Sequence, residues 1–391
     1  MKKTVILFLI ILIIDFTTNK SNIVEATSNN INASNSIMNS QKETLNISKF
    51  LGESENYTTE FLQDVDLNEL LNSAISGNID NTKLVKNAWR ILGNEVANAA
   101  TALGSILVII IIHSIIKSIS DGLKNQSVSQ IAYYVQYILI VTIVMVNFAD
   151  IIDMVRNSVT DLVSFINALL PILITLMLTT GSIASATMLQ PIILFIITLV
   201  GNLITNVIIP IVLVSTALGI ISQISDKIQI DKLSKFLKST SIWILGILIT
   251  IFVGVSSLEG SLTSSVDGLT AKTAKAAVSN CIPVVGKILG DSIETVIGCG
   301  GILKNAIGVI GVLIIIGICI VPIIKLTVLM TIYYIGAAIC QPIADKKIIK
   351  LLEQMGDTFK ILLGILCSVS VMLIVGVTLI IKISNTGAMY R

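Results

Sequence analysis

Charge is scarce in this chain. Only 13% of its 391 residues are Asp, Glu, Lys or Arg, against roughly 25% in an average soluble domain. Hydrophobic residues make up 54%, and the mean hydropathy is +0.91. A soluble fold of this size has no interior for so much apolar surface, because its exterior still needs polar cover. Arginine is rarer still: Arg90, Arg156 and Arg391 are the three, so 26 − 3 = 23 of the basic residues are lysine. The formal net charge is only +2. With no basic patch interleaved with aromatics, nucleic acid is not a partner the sequence suggests. His113 is the sole histidine, which excludes a multi-histidine metal site. Its position four residues before Lys117 suits an interface anchor, with a proton relay as the alternative. The cysteines are Cys281, Cys299, Cys319, Cys340 and Cys367, and none forms a CxxC pair. They read as small buried hydrophobes rather than zinc or redox ligands. A Walker A motif, an HExxH motif and a nucleophile motif are all missing, so the chain reads as non-enzymatic and implies no cofactor. Gly298-Cys299-Gly300-Gly301 reads as close helix packing or a bend rather than a phosphate cradle.

What the chain has instead is long apolar sequence. Lys2 and Lys3 precede an apolar run from Val5 to Ile14, too short to span a bilayer, and Val24-Glu25-Ala26 offers a cleavage site. Residues 1–26 therefore read as a signal peptide, with an uncleaved anchor as the alternative. Residues 27–81 read as an exported polar segment: 27–40 are rich in Asn and Ser and are expected to be disordered, and 53–80 are acidic. From Thr82 the spacing of Leu84, Ala88, Ile91, Leu92 and Val96 predicts a helix leading into the first span.

Apolar segments follow at 100–119, 131–149, 162–180, 190–222, 239–257, 301–340 and 361–381. Lipid cannot satisfy backbone hydrogen bonds, so each is expected to be helical. The fold class is thus an all-α polytopic membrane bundle. At 1.5 Å per residue, 190–222 would extend about 50 Å and 301–340 about 60 Å, against a hydrocarbon core of ~30 Å. Pro210 and Pro322 lie within them, so broken helices or tight pairs are expected there.

Loop charge sets the orientation. Residues 226–238 hold Lys227, Lys232, Lys235 and Lys238, and 345–360 hold four more lysines, so both stretches suit the cytoplasm. Asp150, Asp153 and Asp161 outnumber Arg156 in a stretch placed outside, as is 258–300. The scheme needs an odd number of crossings in 162–222 and again in 280–340.

An ordered recurrence divides the rest of the chain. Asn167 to Pro171 resembles Asn280 to Pro283; Pro171 and Pro210 are 39 residues apart, as are Pro283 and Pro322. Ser225-Asp226-Lys227 and Ala344-Asp345-Lys346 each precede a basic amphipathic stretch, then Leu-Gly-Ile-Leu at 245–248 and 363–366. A parallel internal repeat accounts for this, with a repeat A over 150–257 and a repeat B over 258–382, after an entry unit over 82–149 and before a tail over 383–391. Coincidence in a biased composition is the alternative. All four prolines are expected helix breaks.

The recurrence exposes a polar stripe. Lys287, Asp291 and Glu294 share one helical face, and the positions 112 residues earlier are Thr175, Thr179 and Ser182. Ionisable groups in membranes face protein or water, so these six residues are candidates for lining a polar conduit, within one subunit or between subunits of a homo-oligomer. An interfacial helix with solvated charges is the alternative.

Residues 267–275, Asp-Gly-Leu-Thr-Ala-Lys-Thr-Ala-Lys, and 280–287, Asn-Cys-Ile-Pro-Val-Val-Gly-Lys, resemble the stage III sporulation protein AE family. Asp291, Thr295-Val296-Ile297 and Lys304-Asn305-Ala306 continue the likeness, which extends over essentially the whole chain. The resemblance implies a polytopic subunit of a channel-like complex between mother cell and forespore. Its implied partners are the other stage III sporulation proteins, AA to AH, a forespore membrane protein and membrane lipid. The competing expectation, from repeats and intramembrane polar groups, is a stand-alone secondary transporter.

Overall fold

The computed structural model describes residues 31–57, 61–62, 65–77, 82–122, 126–224, 230–255 and 286–389. Residues 1–26, expected to be a signal peptide, Pro283 and the 267–285 part of the resemblance lie outside these. Among the described residues the regular structure is helical throughout and contains no strand. Three short helices come first: α1 (Ile31–Thr44), α2 (Ile47–Ser54) and α3 (Leu67–Ser76). Long helices follow: α4 (Thr82–Gly122), α5 (Gln126–Thr179), α6 (Ile183–Leu203), α7 (Ile209–Ile224), α8 (Asp231–Val255), α9 (Gly286–Cys340) and α10 (Lys346–Met389). Residues Ile204–Ile208 join α6 to α7 as one π-helical stretch. Six helical stretches are long and apolar enough to cross a membrane.

Local signals explain the ends. The Asp66 carboxylate accepts the Asn68 amide at 2.8 Å and starts α3, while Gly77 at φ 73° ends it in the left-handed conformation. Gly181, at φ 81°, supports the tight turn from α5 into α6.

The helix α9 is the central post. Its 55 residues make it about 82 Å long. It lies antiparallel to α10 along their shared length: Tyr333 meets Phe359 edge-to-face at 5.3 Å, and the buried Lys304 donates to the Ile381 carbonyl at 3.1 Å. It is also antiparallel to α5, with Gly300 against Thr179 and Gly311 against Leu169. It is parallel to α4, with Gly317 against Leu62 beneath the start of α4 and Gly336 against Leu103. A Cβ at any of these glycines would strike its neighbour. The small helices cover the same end, where Phe50 and Tyr57 pack on Phe165 of α5 at 6.0 and 5.9 Å. One end of the bundle thus holds the close of α4, the start of α5, the close of α7, the start of α8 and the turn at 341–345; the other holds α1–α3, the turn at 180–182 and the start of α9.

Several expectations are corrected. Residues 301–340 are neither broken nor a pair, since Pro322 lies inside the continuous α9, and Pro171 lies inside α5. A membrane-helix proline forfeits one backbone bond, and packing by neighbouring helices holds the axis. At Pro210 the chain also continues; the π stretch just before it widens the helix where the ring would otherwise meet the preceding turn. Residues 150–161 are not a loop: segments 131–149 and 162–180 are one 54-residue helix, so the line between 149 and 150 falls mid-helix. Residues 31–40 are helical, within α1.

The glycine contacts generate a test. Gly311→Leu and Gly336→Leu should each destabilise the detergent-solubilised protein by about 1–3 kcal/mol through overpacking. Gly246→Leu and Gly254→Leu, where a Cβ meets nothing within 4 Å, should leave thermal unfolding unchanged. Reactivity of the buried cysteines during heating reads the difference.

Candidate functional site: polar groups in an apolar bundle

Polar side chains collect in two places. The first is a cleft of about 360 Å³ at the end that holds α1–α3, beside α1. Ser36, Ser40, Gln41 and Thr44 of α1 face Thr175 and Thr179 of α5 and Val296 of α9 across it. Gln41 Nε2 donates to the Val296 carbonyl at 3.3 Å, fixing α1 against α9. The threonine hydroxyls turn back on their own helix: Thr175 Oγ1 donates to Pro171 O and Thr179 Oγ1 to Leu176 O, both at 2.8 Å. Nearby Lys42 reaches Asn72 Oδ1 at 3.3 Å, and partial burial holds its ammonium below the usual lysine range.

Two of the six sequence-predicted conduit residues, Thr175 and Thr179, therefore line a cleft. Ser182 is buried in the adjoining turn and is not among its lining residues. Lys287, Asp291 and Glu294 fall on the first turns of α9 at the same end, and their side chains lie outside what is described. From Asp291 to Cys340 is 49 residues, or about 73 Å of helix. These positions are thus far along the bundle from its lysine-bearing end.

The second collection lies toward the opposite end and joins α7, α8 and α10. Lys238 Nζ donates to Thr358 Oγ1 at 3.2 Å and approaches the Gln354 carbonyl at 3.4 Å. Gln354 Nε2 donates to the Thr216 carbonyl at 3.1 Å, and the hydroxyls of Thr216 and Thr358 lie 3.1 Å apart. Beside them, Ser215 and Ser234 each donate to the other's carbonyl at 2.8 and 2.7 Å. Tyr137 closes the group by donating to the Ile220 carbonyl at 2.7 Å. Sequence reasoning misses this network. Lys238 reads there only as a cytoplasmic charge, and pairing across three helices leaves no periodic signal.

Such bonds suit an apolar surrounding, where an unmet hydroxyl or ammonium is costly. These bonds hold α7, α8 and α10 together. Between α5, α6, α8 and α10 the structure leaves a space of only about 10 Å³, bordered by Val163, Phe252 and Met372. That is near the size of one water molecule.

The geometry defines a polytopic helical membrane protein whose described residues pack a continuous apolar core. The family profile described as Stage III sporulation protein AE (spore_III_AE) matches residues 65–384. The chain is also 31% identical over 307 residues to the Stage III sporulation protein AE of Bacillus subtilis (strain 168), covering 78% of this chain and 77% of that protein. No solved structure matches it. The chain belongs to the stage III sporulation protein AE family.

A double-mutant cycle tests the network. Thr216→Val and Thr358→Val should show a coupling of about 0.6 kcal/mol, and at most ~1.7, the range for hydrogen bonds between membrane helices. Additive effects in thermal unfolding would mean that the two hydroxyls do not interact.

Proposed function

We propose that this protein is a membrane subunit of a channel-like or secretion-like sporulation complex joining mother cell and forespore. It sits in the mother-cell membrane around the forespore and serves late forespore development. It is non-catalytic, and its partners are the other stage III proteins, AA to AH, a forespore membrane protein and membrane lipid. Family membership supports the sporulation role. The observation that favours a subunit over a self-sufficient transporter is the packed interior: Leu162, Phe165, Leu169, Ile310, Ile314, Leu362 and Leu366 fill the bundle axis where a solute would have to pass. A passage built with this chain runs between subunits. The lysines of the 231–238 and 346–360 stretches orient that end to the cytoplasm by the positive-inside bias, which leaves α1–α3 and the 180–182 turn on the far side.

Purification of the tagged full chain from sporulating cells in mild detergent is the test. The reading predicts co-purification with other stage III proteins, and no saturable uptake when the chain alone is reconstituted in vesicles. Saturable uptake of one solute by the isolated chain would contradict it and favour the transporter.

A further inference from the structure

The helix α10 carries a surface that the packed core does not explain. From Lys346 to Lys360 its exposed positions are Lys346, Lys350, Glu353, Asp357 and Lys360, and every one is charged. The intervals are four, three, four and three, so the five share one face within an arc of about 80°. The same face continues as the half-buried Gly364, Ser368, Val371 and Val375 and then the exposed Thr378 and Lys382. None of these is bulkier than valine until the terminal lysine, and a Cβ at Gly364 would meet nothing within 4 Å. The stripe runs 36 residues, about 54 Å, which exceeds a ~30 Å hydrocarbon core.

Its height in the bundle is fixed by contacts. Phe359, beside the charged stretch, lies 6.3 Å from Phe148 of α5 and 5.3 Å from Tyr333 of α9. Tyr334 donates to Asp357 at 2.6 Å. Going from Phe148 back toward the start of α5, that helix exposes Val146, Leu139, Ile138, Val135, Tyr134 and Ile131. The adjacent α4 exposes Val108, Ile112, Ile115 and Ile119. At one level of the bundle, then, one flank is apolar and the other is uniformly charged. The apolar flank needs lipid, while hydrocarbon against the charged flank is too costly to persist.

We infer that the α10 stripe is a water-facing wall of a passage for hydrated polar solutes, lying within the thickness of the membrane that the α4–α5 flank contacts. The inference rests on the subunit reading above and names the surface that would line the passage. On α8, Lys232 and Lys235 are exposed beside the exposed Leu233 and Phe236. Lys238, bonded to Thr358, ties that helix to α10.

Substituted-cysteine labelling of the full chain in native membranes tests it, using a charged, membrane-impermeant methanethiosulfonate. Cys299, Cys319, Cys340 and Cys367 are buried, and Cys281→Ser removes the remaining native thiol. Asp357→Cys, Gly364→Cys and Ser368→Cys should react at least ~10-fold faster than Ile112→Cys and Leu139→Cys, because thiolates form in water and not in hydrocarbon. If Asp357→Cys fails to accumulate, Lys350→Cys and Glu353→Cys report on the same face. Equal rates at Ile112→Cys and Asp357→Cys would place the whole end in water and overturn the inference. Unreactive Gly364→Cys and Ser368→Cys would close the wall above Lys360 and overturn it too. Unreactive stripe thiols in a chain that still co-purifies with its partners would sink the passage alone. Reactive stripe thiols in a chain without partners would sink the subunit reading alone.

Discussion

A single apolar helix longer than two bilayer cores sets the terms for this fold. Lipid can sheathe about 30 Å of α9, and its length is about 82 Å. The remainder has to be covered by protein, because Leu303, Ile307, Ile310, Ile314 and Ile318 are bare hydrocarbon surface otherwise. The extended α4, α5 and α10 and the small helices α1–α3 supply that cover. This is why α5 does not stop at Asp150 and why Phe61 and Leu62, far from any span in sequence, end up against Gly317. The closeness that glycine permits along α9 then adds dispersion contacts, which in lipid replace the hydrophobic drive as the source of helix association.

The same constraint separates two kinds of polar group. Inside the bundle, Lys304 on Ile381 and Lys238 on Thr358 find partners across helices. Those on its surface are sorted by flank, with charge along α10 and hydrocarbon along α4 and α5 at equal height. A lone chain in a flat bilayer cannot suit both flanks. An assembly can, by turning the α4–α5 flank to lipid and the α10 flank to a shared interior.

Much of the fold was legible in the sequence. Every long helix is foreshadowed by its apolar run, and the lysine-bearing stretches mark one common end. The failures have physical causes. Residues 150–161 resemble a loop because Asp150, Asp153 and Asp161 are charged; yet Ile151, Ile152, Val155, Val159 and Leu162 keep helical spacing and are all buried, and that periodicity outweighs the charge. Pro171 and Pro322 look like breaks under the rule for water-exposed helices, where a lost backbone bond is not held together by neighbouring helices. The polar sites were less legible. Thr175 and Thr179 do line a cleft, but α1, whose residues up to Ser40 were expected to be disordered, forms its opposite wall. The Lys238, Gln354 and Thr358 network depends on which helices become neighbours, and no single segment encodes that.

The central claim is that α9 passes unbroken through Pro322, and the distance between its ends tests this directly. Ile302 and Ile335 are exposed on α9, at 47% and 49%, so nitroxide labels there disturb little. Double electron–electron resonance on the pair in nanodiscs should give a separation near 50 Å, the rise of 33 helical residues. A distance below about 30 Å, as a helical hairpin folded at Pro322 would produce, would contradict the account.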